Sequence, residues 1–317
     1  MRFFLISFLL FSISLGAQED FLAKQYFADG DFEKALVFYE KLTEKNPRRT
    51  DYQQGLISCY QQLERYEEAE AFLLKQLKLR NPHPSLFIEL GYNYTLQDIT
   101  DKANEYYGQA LQVIERNPNY GYAIGYQFQK YSLLDNAILS YTRAMEMNPA
   151  LDYSFQLARI YGEQGNVDKM YRAYLDLMSN GKTSKSNILR NIDDFVTADA
   201  ESNNNMLLKK ILLEKAQKTP DIVWNELLSW LFVQQGQYGS AFRQEKAIYK
   251  RMDGNSTLRL ENLAKATLEE DETAIAEEIF NYIAKETTNE VTRLDAKLNL
   301  IDIELLDVKK GDYSSIQ

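Results

Sequence analysis

The chain has 317 residues, 45% hydrophobic and 13% aromatic, with only 14 Gly and 6 Pro, which excludes a low-complexity chain and leaves two domains or a repeat array. Its formal net charge of −10 repels phosphate backbones and anionic lipid surfaces, so no nucleic acid partner is expected. The single cysteine, Cys59, excludes an internal disulfide; lying among Leu56, Ile57 and Tyr60, it reads as a small packing residue.

The N-terminus, "MRFFLISFLLFSISLGAQED", places Arg2 before an apolar run over residues 3–15 that is broken only by Ser7, Ser12 and Ser14. Small residues follow, then Gln18, Glu19 and Asp20. This layout predicts a secretory signal peptide over 1–17, cleaved after Gly16 or Ala17; the run is short for a membrane span. An uncleaved anchor is the alternative. No cysteine follows the run, so a lipid-anchored form is not expected. No second apolar run is long enough to span a bilayer, so the mature chain is expected to be soluble, without a transmembrane segment.

A 34-residue period then begins. Ala35, Ala69, Ala103 and Ala137 recur at that interval, with Tyr26, Tyr60, Tyr94 and Phe128 nine residues upstream of them. Four residues before each aromatic lie Leu22, Leu56, Leu90 and Ile124, and four after each alanine lie Tyr39, Leu73, Tyr107 and Tyr141. Within a block the apolar residues fall at helical spacing, interrupted by a turn such as Asp29-Gly30-Asp31, so each block predicts helix, short turn, helix. Asp31 is expected to cap its second helix, and an Asn-Pro pair closes each block at Asn46, Asn81, Asn117 and Asn148. In the second block Glu67, Glu68 and Glu70 precede Lys75, Lys78 and Arg80, which matches the helix dipole. A methyl-sized residue at a fixed place on the second helix lets the first helix come close, and Gly91 and Gly125 make the same allowance from the first helix.

"LGYNY" at 90–94, "ANEYYGQALQ" at 103–112 and "AILSYTRAMEMNP" at 137–149 resemble the tetratricopeptide repeat family. In that family's frame the repeats fall near 16–49, 50–83, 84–117 and 118–150. A fifth, "LARIYGEQGNVDKMYRAYLDLM", occupies about 151–184 with Met170 in place of the alanine. The predicted organisation is a signal peptide over 1–17, an array of about five repeats over 18–184, a divergent helical unit over 185–221, and further repeats over 222–317. The divergent unit holds two amphipathic stretches, "ILRNIDDFV" and "MLLKKILLEKAQ", between polar loops. The period returns with Trp224, Trp230, a Gly236 turn and Ala241, and again with Leu263, Ala264, Ala276 and Phe280. The last repeat is expected to be incomplete, with one helix and a turn at Gly311-Asp312-Tyr313. The fold class the resemblance implies is all-α: a right-handed α-solenoid of stacked antiparallel helix pairs.

Little in the chain points to catalysis. His83, the only histidine, lies in the inter-repeat loop "NPHPS" and reads as a solvated loop residue. One histidine and one cysteine are too few for the common zinc sets. Glu67-Glu68, Glu269-Glu270 and Glu277-Glu278 fall on helix faces expected to be wet. "DGDFEKALVFYE" lacks a calcium loop's ligand series, and no glycine loop ends in Lys-Ser or Lys-Thr. No enzymatic activity, cofactor or metal is expected.

The resemblance implies a concave groove lined by the first helix of each pair, where a partner's peptide segment binds. The groove candidates in this frame are Lys24, Gln54, Gln61, Tyr92, Tyr122, Tyr126, Gln129 and Arg159; Phe27, Ser58, Gln62, Ile88, Thr95 and Phe155 complete the list. The Lys/Asn/Arg clamp that some family members use for a C-terminal carboxylate is not matched, since Ser58, Tyr92 and Tyr126 occupy its positions. The expected function is a non-enzymatic scaffold for a protein or peptide partner, exported by a bacterium to the periplasm or outer envelope. Two alternatives stand beside it: glycan or cell-wall polysaccharide binding in the same tyrosine-rich groove, and an N-terminal interaction array of a longer protein.

Overall fold

The computed structural model describes residues 18–254 and 256–314, with side chains through Leu305. The signal peptide and its cleavage positions lie outside these residues. Every regular element described is helical, and the fold is all-α, built of successive helix pairs as in an α-solenoid. The helices fall into two compact units, one through Ile160 and one from Tyr161.

In the first unit the pairs are α1 (18–28) with α2 (Phe32–Lys45), α3 (Thr50–Gln62) with α4 (Tyr66–Leu77), α5 (Ser85–Thr95) with α6 (Thr100–Arg116), and α7 (Gly121–Lys130) with α8 (Leu134–Met147). A 3₁₀ turn, Pro118–Tyr120, leads into α7, and α9 (Ser154–Glu163) begins at the end of the unit. The second unit holds α10 (Val167–Ser179), α11 (Lys185–Ile192) and a 3₁₀ turn, Asp193–Phe195. After these come α12 (Asn203–Lys218), α13 (Ile222–Gln234), α14 (Tyr238–Arg251), α15 (Leu258–Glu269), α16 (Thr273–Glu286) and α17 (Glu290–Ser314).

Each pair in the first unit turns in the same way. The residue at 30, 64, 98 and 132 adopts a left-handed backbone, with φ of +79° at Gly30, +56° at Glu64, +59° at Asp98 and +56° at Ser132. The next residue's N–H then reaches back to the carbonyl of the repeat's aromatic: Asp31 to Tyr26 at 2.8 Å, Arg65 to Tyr60 at 2.8 Å, Ile99 to Tyr94 at 2.9 Å and Leu133 to Phe128 at 2.9 Å. This closure satisfies carbonyls the helix end leaves bare. Only the first turn spends a glycine on it.

The four periodic alanines are buried, as the spacing predicts. Their neighbours explain why. A Cβ built at Gly91 would lie 2.4 Å from the Tyr107 ring, and one at Gly125 would lie 2.6 Å from the Tyr141 ring. Tyr107 and Tyr141, four residues after Ala103 and Ala137, therefore pack directly against the backbone of the first helix of their pairs. Met170 breaks the alanine pattern without breaking the packing, because Gly162 on the facing helix leaves room for its sulfur. Tyr94, Phe128 and Cys59 are buried in this core, and burial pushes the Cys59 thiol up to about 12.

Three local expectations fail. Asp31 makes no side-chain cap; its carboxylate takes Lys34 Nζ at 2.5 Å instead, because the turn's own backbone bonds already fix the helix start. Asn46, Asn117 and Asn148 directly follow α2, α6 and α8, but α4 ends at Leu77. Asn81 stands further on, at φ +62° in the connecting loop. The turn at Gly311-Asp312-Tyr313 is not made, since α17 runs through it to Ser314. One glycine costs a helix only about 1 kcal/mol relative to alanine, too little to end it without packing that favours a turn.

Candidate functional site

The first helices of the first unit bring together a set of polar and aromatic side chains that the repeat core does not use. Its centre is Glu89 on α5, a carboxylate almost wholly withdrawn from solvent. Gln54 on α3 donates to its Oε1 at 2.7 Å, and Gln127 on α7 donates to the same oxygen at 2.5 Å. The Tyr131 hydroxyl, just past α7, donates to Oε2 at 2.5 Å. Lys130 Nζ stands 3.8 Å from Oε1. One carboxylate thus ties three successive repeats together. Burial pushes the Glu89 carboxyl above the ordinary glutamate range, outweighing the opposing pull of Lys130, Tyr131 and Gln127. Burial is likewise the main cause that pushes the Tyr131 phenol up, with the Glu89 charge adding to it.

Beside this network opens a cleft of about 510 Å³ between α3 and the start of α5. Gln53, Gln54, Gln76 and Gln127 give it an amide-rich lining, and Ile57 and Leu86 supply apolar wall. Arg48 and Arg80 also line it; both are exposed and have no ion-pair partner among the described residues. These two guanidiniums stand at the cleft in a chain of net charge −10.

Tyr92 stacks on Tyr131, with ring centroids 3.8 Å apart. One repeat on, Tyr122 and Tyr126 stack on each other at 6.1 Å and 11°, and they remain 49% and 58% exposed. Large rings left this open carry contact area that the fold itself does not consume.

The other sequence candidates fall in mixed surroundings. Lys24 is exposed and pairs with Asp20 at 2.9 Å. Gln129 accepts a hydrogen bond from the Tyr141 hydroxyl at 3.0 Å, and Arg159 is exposed. Gln61 is buried, and its Nε2 has no partner among the described residues. Ile88 belongs to the core and not to the groove: it is fully buried, in the same hydrophobic cluster as Leu73 and Ile124. His83 sits on its loop, its Nδ1 2.7 Å from Ser85 Oγ, and burial holds its imidazole below the ordinary histidine range. The described residues hold no cluster of His, Cys, Asp and Glu fit for a metal, and no helix long and apolar enough to cross a membrane.

Sequence reasoning missed Glu89, Gln127 and Tyr131. The signal for Glu89 was a lone acid inside the apolar run "LFIELGYNY". In the second unit the same kind of network was equally hidden. Arg259 holds Glu245 through two bonds of 2.7 Å and reaches Glu226 at 3.1 Å, and Lys185 also pairs with Glu226. It flanks a cleft of about 350 Å³ walled by Leu189, Trp230, Val233 and Leu263.

Residues 26–86 match the family model for the tetratricopeptide repeat. The general transcriptional corepressor trfA of Dictyostelium discoideum is 26% identical over 130 residues, covering 40% of this chain and 9% of that protein. The human protein O-mannosyl-transferase TMTC1 is 23% identical over 177 residues, covering 53% of this chain and 20% of that protein. The chain thus spans a fifth or less of these relatives' lengths. Among solved structures, Naa15/Naa10 bound to HypK-THB superposes with a TM-score of 0.34 at 16% identity, over 87% of this chain and 43% of that one. The MamA protein gives 0.29 at 17% identity, over 65% and 96%. A tetratricopeptide repeat protein from Parabacteroides merdae gives 0.28 at 15%, over 89% and 98%. Tetratricopeptide repeats are thus matched over residues 26–86, and the helix pairs of the first unit, with that match, support a protein-interaction scaffold.

Proposed function

We propose that the chain is a non-enzymatic scaffold that holds an extended segment of a protein partner along the first-helix face of its first unit. The observation that carries this reading is the exposed, near-parallel Tyr122–Tyr126 pair on α7, the helix whose Gln127 also lines the amide-rich cleft. Tyrosine contributes contact area with few torsions to freeze, and side-chain amides pair with a peptide backbone. The unpaired Arg48 and Arg80 favour a segment bearing acidic side chains. The apolar leader over 3–15 supports export to the cell envelope, where such a scaffold would assemble its complex.

The test is binding of the purified chain to a displayed peptide library, followed by titration of the peptides selected. Tyr122→Ala with Tyr126→Ala should weaken binding at least tenfold while leaving helicity unchanged. Selected peptides should be acidic, and Arg48→Glu with Arg80→Glu should reverse that preference. Binding that is indifferent to both pairs of changes would refute the site. The exposed tyrosines also suit stacking on sugar rings, which is the rival reading; retention on isolated cell-wall polysaccharide, with no peptide selected, would favour it.

A further inference from the structure

Over residues 290–305, helix α17 is packed on one side only. Ala296 and Ile303 are buried where it lies against α16. Its opposite side carries Val291, Leu294, Leu298, Ile301 and Leu305, all 52–67% exposed. These five are spaced 3, 4, 3 and 4 residues apart. Such alternation averages 3.5 residues and makes a narrow seam, the a and d pattern of a coiled coil. The broader stripe of a helix that packs on a globular core would not keep this strict count.

The charges beside the seam indicate the occupant. With Val291 at a, the e positions are Asp295 and Asp302, and the g positions are Lys297 and Glu304. In a parallel pair of identical helices, g of one faces the next e of the other. Lys297 then meets Asp302 of the second copy, twice by symmetry. The one like-charged meeting, Glu290 with Asp295, lies at the helix start, where Arg293 of the same helix already pairs with Glu290. In an antiparallel pair Lys297 would meet Glu304, but Asp295 would meet Asp302 in the middle of the seam, with no cation beside either in this helix. The seam is therefore self-complementary in the parallel arrangement.

We propose that α17 is a homodimerisation helix, pairing in parallel with α17 of a second copy through Val291, Leu294, Leu298, Ile301 and Leu305. The interface lies in the second unit and is independent of the peptide-binding face of the first.

Sedimentation equilibrium of the mature full chain tests it. The wild type should be a concentration-dependent dimer. Leu298→Asp with Ile301→Asp should give a folded monomer of unchanged helicity, because both side chains already face solvent. Lys297→Asp alone and Asp302→Lys alone should each weaken association, by roughly threefold to tenfold for two partly exposed ion pairs. The double exchange should restore it. A wild type that stays monomeric at all concentrations overturns the proposal. So does a dimer unaffected by the seam changes, or one rescued by exchanging Lys297 with Glu304 and not with Asp302.

Discussion

Glu89 shows how a single residue is set by its surroundings. A buried carboxylate is expensive unless its lone pairs are occupied, and here Gln54, Gln127 and Tyr131 occupy them. Tyr131→Phe removes one donor to a buried charge and should cost about 1.5–3 kcal/mol at neutral pH, read by urea unfolding. The pH dependence follows from the raised carboxyl. The folded state holds the proton to higher pH than the unfolded chain does. The stability this group contributes is therefore complete below the unfolded-state glutamate value of about 4.3 and is lost as pH rises through the folded value. The stability of the wild type relative to Glu89→Gln should accordingly fall as pH is raised from about 4 to 8. A difference that grows with pH would contradict this account.

Two substitutions probe the helix pair from opposite sides. Gly125→Ala places a methyl 2.6 Å from the Tyr141 ring, which has no free direction to move, so it should destabilise by about 1–3 kcal/mol. Ser132→Gly acts on the turn. Ser132 holds φ +56°, a left-handed backbone that costs an L-residue roughly 1 kcal/mol or more. Glycine relieves that and gives back part of the gain as unfolded-state entropy, so the expected result is a stabilisation of about 0.5–1 kcal/mol. Thermal melts of both variants would check the pair; a stabilising Gly125→Ala would remove the close-approach explanation for the periodic alanines. The turn was only partly legible. Gly30 announced it, but Glu64, Asp98 and Ser132 do not, because the 6→1 backbone bond holds the conformation whatever the side chain.

For the molecule as a whole, the proposed export rests on the leader alone, and it makes a definite prediction. N-terminal sequencing of the chain recovered from the envelope of a bacterial host should begin at Ala17 or Gln18. Recovery with Met1 retained and the chain membrane-bound would favour the uncleaved anchor.

The sequence by itself determined the all-α fold, the helix pairs and the core positions of Ala35, Ala69, Ala103 and Ala137. Those are local and periodic facts: helical spacing fixes which face is apolar, and repetition multiplies a weak signal until it is unambiguous. It also marked Tyr122 and Tyr126, since a repeat's core has no place for an aromatic at those positions. Only the tertiary structure decided that Gln61 and Ile88 turn inward, that α4 stops short of Asn81, and that α17 runs through Gly311. It alone joined Gln54, Glu89 and Gln127, 35 and 38 residues apart, around one carboxylate. Such a contact belongs to the stacking of one repeat on the next, and a pattern that is the same in every repeat does not say which polar side chain will be caught between them.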